Sequence, residues 1–175
     1  VGHVAAALDL FFEILRRRDS SIDDKFLNDA AFSTVLALEN TIKLQEAQRK
    51  LDGMVTKRSA DREPGKPIEP QVIPAIRKEL IESGDLYARL LPDADTLPNI
   101  KYKAAEVFYN YDHLDEARKR FLHVIERYPN LDVAQYASNL VIETYLAEQD
   151  FANVERFARN TLEGPNPPED AQFRK

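Results

Sequence analysis

Apolar positions recur every three or four residues along most of the chain, which is the period of a helix with one buried face. Over 4–18 the face is made by Val4, Leu8, Phe11, Phe12, Ile14 and Leu15, and Arg16, Arg17 and Arg18 close it with cations that complement a helix C-terminus. Asp19, Ser20 and Ser21 supply a turn and capping groups. The pattern resumes near Asp23 and runs to about Leu51 through Phe26, Leu27, Ala31, Val35, Leu38 and Ile42 without a Gly or Pro. It predicts one long helix, or two that meet near Asn40 and Thr41. Pro74 suits the first position of a further helix carrying Ile76, Leu80, Ile81, Tyr87, Leu90 and Leu91, which Pro92 stops. Four more helices are predicted: from Pro98 to about Tyr111, Asp115 to Tyr128, about Asp132 to Glu148, and about Phe151 to Leu162. No stretch alternates apolar and polar residues long enough to predict a strand.

Between Gly53 and Pro74 the pattern breaks. Pro64, Gly65, Pro67 and Pro70 are interleaved with Lys57, Arg58, Asp61, Arg62, Glu63 and Lys66, and proline both removes a helical donor and restrains the residue before it. The expected organisation is a helical region over 1–52, an exposed connection that could act as a hinge over 53–73, a second helical region over 74–163, and a flexible Pro-containing tail over 164–175.

One spacing recurs. Ala117, Phe121, Val124 and Pro129 fall at intervals of four, three and five, and so do Ala7, Phe11, Ile14 and Asp19. Val154, Ala158 and Thr161 repeat the first two intervals, with Pro165 and Pro167 following. A small residue lets a neighbouring helix approach, a larger one fills the groove between helices, and a turn follows. Helix pairs of this kind bury their stripe by stacking on one another.

With Ala104, Ala105, Phe108, Leu114, Ala117, Phe121, Val124, Tyr128 and Pro129 in register, the chain resembles the tetratricopeptide repeat family. Ala134, Ala137 and Tyr145 fall where bacterial cell-envelope members place two alanines and a tyrosine. The likeness is good from Pro98 to about Leu162, weaker over Val4 to Asp19, and poor between Phe26 and Leu97. Lys101 stands where the family has tryptophan, Asp112 where it has the glycine between paired helices, and Val124 where it has alanine. Val154 replaces the small residue of the last repeat, three residues later than the usual period. The resemblance implies an all-α fold, a right-handed α-solenoid of antiparallel helix pairs with degenerate repeats.

Composition narrows the chemistry. The chain has no Cys, which removes disulfides, cysteine-ligated zinc, iron–sulfur clusters and a cysteine nucleophile. A net charge of -6 argues against non-specific nucleic-acid binding, which needs a basic footprint. Five Gly do not form a phosphate cradle. His3, His113 and His123 lack zinc-peptidase spacing, and Asp93 and Asp95 lack the glycine and distal glutamate of a calcium loop. No serine sits in an elbow motif, and no carboxylate pair stands apart as general acid and base; Glu116 and Arg120 are spaced to pair across one turn. No metal, cofactor or catalytic residue is therefore expected, and no window is long and apolar enough to span a membrane. The chain opens on Val1, which reads as a piece of a longer protein with any export signal upstream.

Tyr102, Phe108, Tyr109 and Tyr111 admit two readings: Phe108 as core with the tyrosines at its edge, or a recognition groove. The resemblance implies that the first helix of each repeat lines such a groove, through Asn99, Tyr102, Glu106 and Tyr109 in one repeat and Tyr136, Asn139 and Glu143 in the next. Tyr102 and Glu106 occupy positions where some family members hold a partner's terminal carboxylate with basic and amide groups, so that clamp is not expected. An acidic floor favours a neutral or basic protein segment. The expectation is a non-catalytic scaffold or adaptor that binds a protein or peptide. The resemblance adds a bacterial envelope complex and a periplasmic or outer-membrane-associated setting, with a cytoplasmic one left open. The alternative is an oligomerisation or lever element of a larger machine; an enzyme is the least supported reading.

Overall fold

The computed structural model describes residue 13 and residues 24–54, 58–63 and 65–163. These residues are all-helical: α1 (Asp24–Ala47), a 3-10 turn (Ser59–Asp61), α2 (Ala75–Leu90), α3 (Leu97–Asn110), α4 (Leu114–Arg127), α5 (Asp132–Ala147) and α6 (Phe151–Glu163), with no strand among them. Apart from the helical Glu13, the expected helix over 4–18 and the tail over 164–175 lie outside the described residues. No helix among the described residues is long and apolar enough to cross a membrane.

The chain divides into two compact units, Val1–Gly53 with Pro74–Leu97, and Met54–Ile73 with Pro98–Lys175. Sequence patterning groups 74–163 together; in the structure α2 goes with α1, and the Pro-rich segment goes with the helices that follow it.

In the first unit, α1 is one uninterrupted helix of 24 residues. Thr41, the residue where two helices could have met, donates its hydroxyl to the Ala37 carbonyl at 2.7 Å, so it bonds within the helix instead of capping a new one. Ala31, Val35, Leu38 and Ile42 are buried at helical spacing. α1 packs against α2, and the rings of Phe32 and Tyr87 lie 6.3 Å apart between them. Tyr87 keeps its buried hydroxyl satisfied at 2.7 Å from Thr96 Oγ1. The least expected core residue is Arg77. It is 1% exposed and donates to Glu46 Oε1 at 2.6 Å and to the Asp52 carbonyl at 2.8 Å.

The second unit is built on Ala105, Tyr109, Leu114, Ala117, Phe121, Val124, Val133, Ala137, Leu140 and Val141, all buried in one cluster. Ala117, Phe121 and Val124 are inaccessible to solvent, which is how their spacing predicts them. α4 opens with Asp115 and Glu116 and ends on Arg127, charges that suit the two ends of its dipole. α4 packs on α5, and Arg118 links the two, donating Nε to the buried Thr144 hydroxyl at 3.0 Å. Its other nitrogens reach Asp115 and Glu148, and its guanidinium lies 4.3 Å from the Tyr145 ring centre. α6 begins at a side-chain cap: Asp150 Oδ1 accepts the Asn153 amide at 3.1 Å.

The turns repeat at a fixed offset. After α3, Asp112 N donates to the Tyr109 carbonyl and His113 N to that of Phe108; after α5, Gln149 N donates to Leu146 and Asp150 N to Tyr145. Both pairs are the Schellman arrangement that closes a helix C-terminus, and both carry one left-handed residue, Asp112 at φ 62° and Gln149 at φ 60°. The connections before α3 and α5 match as well. Leu91 N donates to Tyr87 and Ala94 N to Leu91 in the first, Tyr128 N to Val124 and Leu131 N to Tyr128 in the second. Every pair is offset by 37 positions. The three extra residues before Val154 are therefore part of a regular local period and not an irregularity of the last repeat. The same closure occurs after α1, with Arg49 at φ 54°. There the Pro-rich segment and then α2 follow, so this segment is an insertion between two helices that are joined elsewhere by a three-residue turn.

A left-handed backbone is unfavourable for residues with a Cβ. Gln149→Gly is expected to raise stability by about 0.5–1 kcal/mol, read as an upward shift of the melting temperature. An unchanged or lower melting temperature would show that the Gln149 side chain compensates for its backbone.

Candidate protein-binding face

Of the seven residues that the resemblance assigns to a groove, four lie on α3 and three on α5, and they divide into two sets. Asn99, Tyr136 and Asn139 are exposed, and Tyr102 and Glu106 are half-buried. Tyr136 is 57% exposed and Tyr102 packs on Phe121 with ring centres 5.6 Å apart. The Tyr102 hydroxyl has its pKa pushed up to about 12, first by burial and then by the neighbouring Glu106 and Tyr136. Glu106 and Tyr136 are thus each close enough to Tyr102 to act on its hydroxyl.

The other set is Tyr109, which lines no open surface, and the half-buried Glu143, whose carboxylate accepts from the Ser59 amide. Tyr109 is 0% exposed, a core residue whose ring meets Phe121 at 6.5 Å. Its assignment to a partner-contacting surface is corrected here, and so is the reading of Phe108 as core with tyrosines at the edge. Phe108 is the half-buried one, with the Arg120 guanidinium 4.8 Å from its ring centre and the His113 ring edge-on at 6.0 Å. The two residues are neighbours on one helix, and the larger polar-tipped ring turns inward because its hydroxyl finds a partner there, Arg62. Burial, then Glu143, push the Tyr109 pKa up to about 12, against the opposing charge of Arg62.

Arg62 comes from the segment read as an exposed connection. That segment is tied down along the second unit. The Ser59 amide donates to Glu143 Oε2 at 2.7 Å, and Arg62 donates to Asp112 Oδ1 at 2.8 Å. Gln71 uses three groups: its side-chain amide donates to Asp112 Oδ2, its backbone amide donates to the Tyr111 carbonyl at 2.8 Å, and its carbonyl lies 2.8 Å from His113 Nε2. A carbonyl only accepts, so His113 carries a proton on Nε2. Ile68 packs against the core cluster, and Ile73 is buried. The signals available in sequence were the apolar residues Ile68, Val72 and Ile73 among prolines, and an aspartate at the left-handed turn position.

Beside the segment, Ile68 and Pro70 line a cleft of about 300 Å³ with Asp112, His113, Leu114, Asp115, Glu116 and Glu148. Its carboxylates are engaged: Asp112 by Arg62 and Gln71, Asp115 and Glu148 by Arg118, and Glu116 by Arg120. Among the described residues no group of three or more His, Asp or Glu could hold a metal ion. His123 lies on α4, 3.1 Å from Lys101 Nζ; partial desolvation against the helix and then the Lys101 charge hold its pKa below the usual histidine value, and the neutral ring accepts from the ammonium.

Burial also raises the Glu106 pKa above the ordinary carboxylate value, with Lys103 opposing. A carboxylate with a raised folded-state pKa favours folding when protonated. Its contribution is complete below the unfolded-state pKa and is lost as pH rises through the folded-state one. Glu106→Gln is therefore expected to raise the melting temperature at pH 7 and to leave it nearly unchanged at pH 3.5. An equal gain at both pH values would assign the effect to the amide's own contacts.

Compared with known proteins, the chain matches no family model, no curated sequence and no solved structure.

Proposed function

We propose that this chain is a non-catalytic scaffold that binds a protein segment of neutral or basic character on the α3–α5 face. In this reading α3 to α6 are two stacked antiparallel hairpins of a right-handed α-solenoid of the tetratricopeptide type. The 37-residue recurrence of turn hydrogen bonds supports it, together with the full burial of Ala117, Phe121 and Val124. The observation that carries the binding role is the open half of the face. Glu106 and Tyr136 both lie near Tyr102, and Asn99 and Asn139 are exposed. Tyrosines and amides give large contact area and adaptable hydrogen bonds at low entropic cost. The envelope setting, periplasmic or outer-membrane-associated, belongs to the same proposal and rests on Ala134, Ala137 and Tyr145.

Photo-crosslinking from positions 136 and 139, with the exposed Lys119 on α4 as control, tests the reading. One shared product from the first two positions, absent from the third, is expected. With that partner purified, Tyr136→Ala is expected to weaken binding about tenfold, the scale of a modest hot spot, and to leave the melting temperature within a degree or two. No saturable binding, or identical products from all three positions, would remove the proposal.

The runner-up is an oligomerisation or lever element, favoured by Leu36 and Leu44, which are 41% and 56% exposed on α1. Sedimentation velocity showing a monomer at all concentrations, for this chain and for longer forms alike, would count against it.

A further inference from the structure

We propose that the covered half of this face is a recognition site for an extended, arginine-bearing peptide segment, and that residues 58–73 are its resident ligand, displaceable by a partner segment of the same chemistry. The geometry is that of a bound peptide and not of a folded subdomain. Arg58 and Arg62 have extended backbone on either side of a single 3-10 turn, and the segment's own main-chain bonds are local turns, Asp61 to Arg58, Arg62 to Ser59 and Lys66 to Glu63. Its contacts are instead made to the helices, at several anchors. The Ser59 main-chain amide is captured by Glu143 on α5. The Arg62 guanidinium, its side chain 15% exposed, is seated against Asp112, whose side chain is 6% exposed. It also reaches the hydroxyl of the fully buried Tyr109. Ile68 packs on the core cluster, and Gln71 adds a main-chain pair to Tyr111 and His113.

Main-chain capture supplies affinity and side-chain pockets supply specificity, which is how grooves read extended peptides. The specificity element here is one guanidinium held between Asp112 and Tyr109. A lysine would present a single point charge where the site offers a carboxylate and a phenol oxygen to a planar fork. A neutral side chain would leave Asp112 buried without its cation. The insertion also sits where the chain needs none. The turns after α3 and α5 join their helices with three residues, so closing the α1–α2 pair does not require the segment to cross α5.

The proposal rests on the scaffold reading only for the existence of a competing partner, and its test is separate. A labelled peptide with the sequence of residues 58–73 is titrated by fluorescence anisotropy against the full chain and against a full-length variant in which those residues are replaced by Gly and Ser. Saturable binding to the replaced chain, at least tenfold tighter than to the intact one, is expected. Arg62→Ala in the peptide, or Asp112→Asn in the replaced chain, should weaken it at least tenfold. A folded replaced chain that does not bind the peptide, or binds it no better than the intact chain does, overturns the proposal and leaves the crosslinks of the open half unaffected. If the replaced chain does not fold, hydrogen exchange on the intact chain with Arg62→Ala decides. Exchange at the Ser59 and Gln71 amides that rises at least tenfold, with protection kept at Val124, supports a separable ligand. Protection lost uniformly across α3 to α6 makes the segment an integral part of the fold and overturns the proposal.

Discussion

Phe121→Ala is expected to destabilise the second unit by about 3–5 kcal/mol, the range for emptying a buried phenylalanine site. The ring is inaccessible to solvent and lies between Tyr102 at 5.6 Å and Tyr109 at 6.5 Å. Ala105, Ala117 and Ala137 share its cluster, and alanines have no flexible atoms with which to fill the space left behind. A domain is stable by only about 5–15 kcal/mol, so the variant should melt many degrees lower and expose the face on which the segment is seated. Phe151→Ala is the matched control, since Phe151 is 65% exposed at the start of α6 and should change stability by about 0.5 kcal/mol or less. Denaturant melts of the two variants decide the matter: equal midpoints would show that Phe121 is not the centre of the core.

The second large effect is expected in the first unit. Glu46→Ala removes the carboxylate that accepts from Arg77 at 2.6 Å, and leaves a guanidinium whose side chain is 2% exposed without that counter-charge. Removing one member of a buried pair costs about 3–5 kcal/mol. The lower end applies, because Arg77 keeps its bond to the Asp52 carbonyl and Glu46 is itself 29% exposed. Replacing both residues by methionine is expected to recover most of the loss, since an apolar pair of similar volume removes the charge together with its cost of burial. Thermal melts of the single and double variants check this. A single variant that melts with the parent would mean that water reaches Arg77.

The contrast between these two positions shows what is legible in a sequence. Phe121 is recognisable as core from its neighbours alone, because Ala117 and Val124 place it on one face of a helix whose other faces are charged. Arg77 and Glu46 read as surface charges, and nothing in the local pattern says that they meet. The choice between Phe108 and Tyr109 is of the same kind: both fall within the apolar arc of α3, and the decision comes from Arg62, 47 positions earlier. The segment over 58–73 was the least legible of all. Its prolines and charges predict exposure correctly as local preferences, but its docking depends on pairing with Asp112, Glu143 and Tyr111, residues that lie between 40 and 84 positions away.

Among the described residues the chain's own pattern determined the helices, most of their ends, and the small–large–medium stripe of α4, because helical period, proline stops and caps are interactions among residues within one or two turns. The tertiary structure alone decided that α1 runs unbroken, that α2 belongs with α1, which of two adjacent aromatics turns inward, and that Tyr109 and Glu143 are engaged by Arg62 and Ser59. Those outcomes depend on which distant groups can satisfy a buried hydroxyl, guanidinium or carboxylate, and that is settled only when the chain brings them within hydrogen-bonding distance.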